Sequence, residues 1–433
     1  MNTTFYPTHL TIYSHVYRAL KKLKKSVFDQ DALQMQINEW QKEYRGDNIF
    51  FRPFSDVDGE IQPLLFCYES AWQEDILKKY GDVCLLDATY KTTKYDIPLF
   101  FVTVKANRCC LVVGFFFIQV EDTRSIAEAL LVFKRWNTNF DPTYWVTDFS
   151  ESEIAAIKEI FPFSKVYLCS FHREQARGRW VKKGGNLTVG TDKESVLELW
   201  RYVATSPTEE QFELNVEMLE TLEVFRRNPK ALIYFKNQWL SLAENWVRAF
   251  ENIGIFANIR TTNGVETMNE KVKKSFLNYD TDKTLTGVVK VLVNSFIPGL
   301  MKKYCQMNSV IRKNNEVVPA FLHGKTQEFI THLWKRYSSA EESFSKESVS
   351  VISEGVFSVK SDTSKDVGYT VNFAEPSCTC EDYQKHKYMC KHFYAIFIFY
   401  PQWGFDKVNE KYRNSPLICL DRTYGYGASG SCI

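Results

Sequence analysis

Two groups of residues in this chain are of the right type and spacing to do chemistry. In VCLLDATYKTTKYDIPLFF, residues 83–101, Asp87 directly follows an apolar run with the texture of a buried strand. In YWVTDFSES, Asp148 stands in the same position after a second such run. If the two strands lie side by side, both carboxylates converge at one sheet edge. There they repel each other unless a cation sits between them. Carboxylate oxygens suit Mg²⁺ or Mn²⁺, and such a pair suits in-line phosphoryl transfer. The plainer reading is that a strand-end aspartate caps the next helix or turn, as Asp148 could before Phe149-Ser150-Glu151. The second group is CTCEDYQKHKYMCKH, in which Cys378, Cys380, Cys390 and His392 offer three thiolates and an imidazole. In number and softness these match a closed structural zinc site, with His386 as a less favoured substitute ligand.

The elements that must position these groups are read from periodicity. Residues 1–59 read as a mainly helical N-terminal region, with helical spacing in LKKLKKSVFDQDALQMQINEWQKEY. From 60 to 174 the texture turns to α/β. Strands are expected at Val83–Leu86, Pro98–Val104 and Leu111–Val120, a helix at Thr123–Trp136 and a strand at Tyr144–Thr147. A helix at Ser150–Phe161 and a strand at Lys165–Ser170 come next. The tight connection at Ala106-Asn107-Arg108 makes at least two of these strands a meander, so the sheet is mixed rather than purely parallel. Residues 175–257 form a helical segment rich in Trp, including Trp200, Trp239 and Trp246. Helices continue over 258–305. Residues 306–350 are expected as helix and linker, with SSAEESFSKESVS as the exposed part, 351–410 as a small zinc-bearing module and 411–433 as a tail.

The wording around the acids carries a resemblance. LLDATYKTTKYDIPLF, WVTDFSESEIAAIKEIFPFSKVYLCSFH and TTNGVETMNEKVKKSF resemble, in order, the core of Mutator-like element (MULE) transposases. The resemblance spans roughly residues 60 to 290. It implies an RNase H-like fold interrupted by a helical insertion, and a DDE triad on Asp87, Asp148 and Glu266 that binds Mg²⁺ or Mn²⁺. It also implies a Cys-x-x-His motif on Cys169 and His172, carried here as site-adjacent with no assigned role. One Cys and one His do not complete a tetrahedral zinc site. Glu266 falls early in a helix opened by Thr262-Asn263-Gly264, and Glu270, one turn later, competes with it. The cysteine cluster in turn resembles the SWIM zinc finger, which accompanies MULE transposases and proteins descended from them. One departure stands out: the first fifty residues hold His9 and His15 but no cysteine, so the N-terminal zinc module common in that family is either truncated here, or its recognition role is lost or passed to other helices.

Composition bounds the reading. At 433 residues the chain is long enough for more than one core, and a net charge of +2 argues against a wholly basic surface. Local basic clusters remain. Arg173, Arg177, Arg179, Lys182 and Lys183 form one and Lys271, Lys273 and Lys274 another; each is a solvated helix face on its own, and a DNA-backbone contact if the resemblance holds. Eleven cysteines, an odd number, fit a reduced compartment better than a disulfide framework. The N-terminus lacks a signal-peptide layout, and the apolar run LVVGFFFIQV is only strand-length, so nucleus or cytosol and no membrane span are expected. Three functions are expected, in descending order. The first is DNA cleavage and strand transfer. The second is a non-catalytic regulator derived from such an enzyme, binding DNA or, through the finger, protein. The third and poorest is an RNase H-like nuclease. Self-association is compatible with the first two.

Overall fold

The computed structural model describes residues 29–250, 263–277, 282–309, 318–362 and 367–424. It resolves into two compact units, each discontinuous in sequence: Met1–Val104 with Leu111–Ser164 and Asn263–Met301, and Lys105–Cys110 with Lys165–Thr262 and Lys302–Ile433.

The first unit is built on strands β1 (Asn48–Arg52), β4 (Leu65–Glu69), β5 (Val83–Thr89), β6 (Leu99–Lys105), β7 (Cys110–Ile118) and β8 (Tyr144–Thr147). A small separate ribbon pairs β2 (Ser55–Val57) with β3 (Glu60–Gln62). The six large strands lie side by side in the order β1-β4-β7-β6-β5-β8. β5 runs antiparallel to β6, with Asp87 opposite Phe101, and parallel to β8, with Leu85 opposite Val146. The sheet is therefore mixed, and the fold is α/β with an RNase H-like domain. Its strands are almost wholly buried, which explains their unbroken apolar runs. Rings knit neighbouring strands together, as where Phe100 and Phe116 stack at 4.8 Å.

Helices cover the sheet, and their starts are chemically marked. Ser70 and Gln73 form a reciprocal capping box for Ala71–Tyr80, and Asp122 accepts the Ser125 N–H at the start of Thr123–Trp136. The latter helix lies so close to β7 that a Cβ on Gly114 would overlap the Phe133 ring. The helix over residues 29–43 is fastened to the helix that begins at Leu285. Asp29 accepts the N–H groups of Leu285 and Thr286, and Trp40 Nε1 donates to Asn294 at 3.2 Å.

Four expectations need correction. Helix over the N-terminal region ends, among the described residues, at 43, and β1 begins at Asn48. β4, a five-residue run buried at every position, escaped notice because it is too short to show a period. The segment SSAEESFSKESVS is not a linker: helix Gln327–Ser343 runs through its first half, with Ala340 buried, and a strand starts at Val349. Finally, Leu285–Ser309 is a 25-residue helix long and apolar enough, by length and composition alone, to cross a membrane. Half of its apolar window is buried inside the protein. A π-turn at Leu292–Phe296 precedes Pro298, whose ring cannot accept a regular turn before it.

The second unit holds β9 (Lys165–Leu168), the helical insertion and the C-terminal module. The insertion comprises helices Ser170–Lys182, Lys193–Ala204, Glu209–Thr221, Glu223–Arg227 and Pro229–Gln238, packed through aromatic rings. Trp180 stacks on Tyr234 at 4.3 Å and Trp200 on Phe235 at 5.6 Å. The C-terminal module is an antiparallel sheet of β10 (Val349–Ser353), β11 (Val356–Lys360), β12 (Gly368–Asn372) and β13 (Ser377–Cys378), covered by helices Gln327–Ser343 and Lys391–Phe399.

The Gly114 contact gives a direct test. Gly114→Ala forces Phe133 out of place and is expected to cost about 1–3 kcal/mol, read as a lower urea midpoint with an unchanged slope. Full stability in that variant would mean that Phe133 is not seated against β7.

Candidate functional site

The acidic site grows from the parallel register of β5 and β8. Leu85 pairs with Val146, so Asp87 and Asp148 each stand two residues further along in one row, Asp87 inside β5 two residues before its end and Asp148 just past β8. Asp87 is only 2% exposed. Burying a carboxylate there is costly unless it is hydrogen-bonded. Asn269, itself 9% exposed and 182 residues away in the sequence, donates its side-chain amide to Asp87 Oδ2. Asn269 sits in helix Asn263–Lys271, the same helix that contains Glu266. The Glu266 side chain lies outside the described residues. Glu270, its competitor, is exposed and forms an ion pair with Lys274.

Two further members of this site were not among the residues expected to form it. Glu153 is 3% exposed and accepts a hydrogen bond from the Thr147 hydroxyl. Burial pushes its carboxyl up to about 8; the Thr147 bond opposes this, while the negative charges of Asp148, Asp87 and Glu121 add to it. Its position, three residues after Ser150, reads as half of a capping box. The other half forms, since Ser150 Oγ accepts the Glu153 N–H, but the carboxylate turns to Thr147 instead of back to the helix start. Lys273 is the second. Burial lowers its ammonium and so does Lys91, while Asp87 holds it up, which puts a cation within reach of the buried acid.

Cys169 and His172 belong to the second unit. Cys169 is buried at the N-cap of helix Ser170–Lys182 without capping it, and His172 is half-buried in the first turn. Their ligand atoms lie within 4.8 Å of each other. The basic run after them is not the solvated face expected. Arg177 is 0% exposed, its guanidinium 4.6 Å from the Trp239 ring and 4.5 Å from Trp246, and burial pulls its pKa well down. Arg173 donates to the Trp246 carbonyl at 2.9 Å and lies over the same ring. Arg177 thus has no surface to offer a phosphate; it anchors the helix to the Trp-rich segment. Arg179, Lys182, Lys271 and Lys274 are exposed, with Lys274 held by Glu270.

The zinc ligands converge as expected. Cys378, Cys380, Cys390 and His392 are all buried, and their ligand atoms lie within 4.8 Å of one another. His392 Nδ1 faces Cys378 Sγ at 3.6 Å and Cys390 Sγ at 3.5 Å, so Nδ1 is the coordinating nitrogen. Three local structures bring them together. Cys378 ends β13, Cys380 caps Glu381–His386 by accepting the Tyr383 N–H, and Cys390 and His392 open helix Lys391–Phe399. Neighbouring thiols pull Cys380 far below the usual thiol range, while burial drives Cys390 up. Three buried sulfurs and an imidazole at this range are a donor set that fits structural zinc. His386 instead lies 4.9 Å ring to ring from His332, beside Asp382, outside the ligand set.

Two measurements test these sites. Without divalent metal, Glu153 holds its proton in the folded chain across the interval in which the unfolded chain has lost it. Its contribution is therefore intact below pH 4.5 and lost as pH rises through about 8. The melting temperatures of wild type and Glu153→Gln should lie closest near pH 5 and separate by pH 8.5, with the variant relatively more stable; a constant gap would refute the buried acid. Cys380→Ser should lower bound zinc, measured by atomic absorption, and open residues 349–413 to trypsin. Unchanged zinc would contradict the ligand set.

Comparison with known proteins agrees with this division. Residues 46–167 match the model of the RNaseH-like domain of zinc finger SWIM domain-containing proteins 1/3, and residues 369–401 match that of the SWIM zinc finger. The chain is also 24% identical, over 316 residues, to part of the PKS-NRPS hybrid synthetase cheA of Chaetomium globosum. That alignment takes in 62% of this chain but only 6% of the synthetase, so the chain spans a small fraction of that relative. The chain accordingly carries an RNase H-like domain and a structural-zinc SWIM finger.

Proposed function

We propose that the chain is a DDE-type polynucleotidyl transferase of the MULE transposase kind, acting on DNA in the nucleus. The observation that carries this reading is the shared row of Asp87 and Asp148, set in an RNase H-like domain with the first acid buried and oriented. Asp87, Asp148 and Glu266 would hold Mg²⁺ or Mn²⁺. When bound, such ions stabilise the attacking and leaving oxygens of an in-line phosphodiester displacement. The chain's own residues do the rest. Asn269 fixes the Asp87 carboxylate through Oδ2. Thr147, next to Asp148, is tethered by Glu153 and steadies the end of β8. In the first displacement water would attack a phosphodiester and the 3′ oxygen would leave as a free hydroxyl; that hydroxyl would then attack a phosphodiester of target DNA, displacing its 3′ oxygen in turn.

A second reading is a non-catalytic regulator descended from such an enzyme, with the finger binding DNA or protein. It is favoured by the same Asn269 amide, which already satisfies part of the coordination capacity of Asp87. Incubating the purified chain with Mn²⁺ and DNA carrying candidate inverted repeats separates the two. Cleavage abolished by Asp87→Asn supports the transferase. Binding without cutting, at every metal concentration, supports the regulator.

A further inference from the structure

Of the basic residues expected to hold DNA, Arg177 is buried and Lys274 is paired with Glu270, but another basic set lines an open groove. Within the second unit an open groove of about 530 Å³ separates Arg108 from one face of helix Gln327–Ser343. Gln327, Thr331 and Lys335 follow a four-residue step along that face. Arg108 sits in the turn between β6 and β7, and the turn is pinned. Ala106 N–H donates to the Cys109 carbonyl at 2.8 Å, while the Asn107 amide donates to Asn308 Oδ1 at 2.7 Å and the Cys419 carbonyl at 2.8 Å.

The charges around this groove are unbalanced. Arg336 is neutralised by a two-pronged pair with Asp382, and Glu328 is the one acid on the lining. Arg108 and Lys335 form no ion pair among the described residues. Next to Arg108, burial and Cys110 push the thiol of Cys109 up to about 11, against the lowering effect of Lys303, Lys105 and Arg108. His332 is kept neutral by burial and Arg336, its pKa lowered to about 4. A solvated lysine face comes from one element. Here the unpaired cations come from two separate segments, the turn between β6 and β7 and helix Gln327–Ser343, and the neutral Gln327 and Thr331 share the same lining.

We propose that this groove grips the phosphate backbone of DNA, with Arg108 and Lys335 on phosphate oxygens and Thr331 and Gln327 as neutral partners. The grip reads no sequence, because contacts to phosphate position a duplex without reporting its bases. The proposal rests on the reading that the chain acts on DNA, but it concerns holding and not cutting.

The test uses the zinc-loaded full chain without added Mg²⁺ or Mn²⁺ and a labelled duplex of about 20 base pairs, titrated from about 50 to about 300 mM salt. Arg108→Ala combined with Lys335→Ala should weaken binding at least about tenfold and flatten the log–log salt dependence by about two, one step per lost phosphate contact. Arg108→Lys with Lys335→Arg should keep the wild-type slope, and both variants should keep their zinc. An alanine variant with wild-type affinity and slope overturns the groove while leaving the DNA reading intact. Equal losses in the two variants would make the residues structural and also overturn it. A wild type that binds no duplex overturns the groove and the DNA reading together.

Discussion

A buried carboxylate that has to be held is the constraint on which the first unit turns. Asp87 lies within an apolar strand inside a sheet almost closed to water, where an unpaired charge is untenable. The chain meets this by bringing Asn269 from 182 residues away to donate to Asp87, and by placing Lys273 within electrostatic reach. The helix that delivers Asn269 also contains Glu266, so one structural requirement and the proposed third acid share an element. Glu153 takes the complementary course. Crowded by like charges and buried, it keeps its proton and spends its oxygen on Thr147.

The second unit handles its charges differently. Arg177 is enclosed by indole faces, and the three thiols with His392 are gathered for a cation. In both cases a polar group is buried where a specific partner is available, which is what makes burial tolerable. The aromatic richness of the sequence is spent here and in the first unit's sheet, in cores more than on surfaces.

Much of this was legible in the residues. Two apolar runs each followed by an acid marked β5 and β8; β8 ends at its acid as expected, whereas β5 continues through Asp87 to Thr89. Three cysteines and a histidine at tight spacing gave the zinc ligands, because coordination chemistry acts locally. What was hidden depends on distance. Arg177 reads as a surface charge because the tryptophans that enclose it lie some sixty residues further on. Glu153 reads as a helix cap because Ser150 stands three residues before it, and only the sheet shows Thr147 competing for the carboxylate. Asn269 carries no signal at all until the fold sets it on Asp87. The groove beside Arg108 joins segments more than two hundred residues apart, and no window along the chain contains both.

The central claim is that the row of Asp87 and Asp148 is a divalent-metal clamp. The direct measurement is Mn²⁺ binding to the zinc-loaded chain by electron paramagnetic resonance, comparing wild type with Asp87→Asn combined with Asp148→Asn. A metal clamp predicts saturable Mn²⁺ binding by the wild type that is lost in the double variant, with zinc retained in both. Equal Mn²⁺ binding by the two proteins would contradict it.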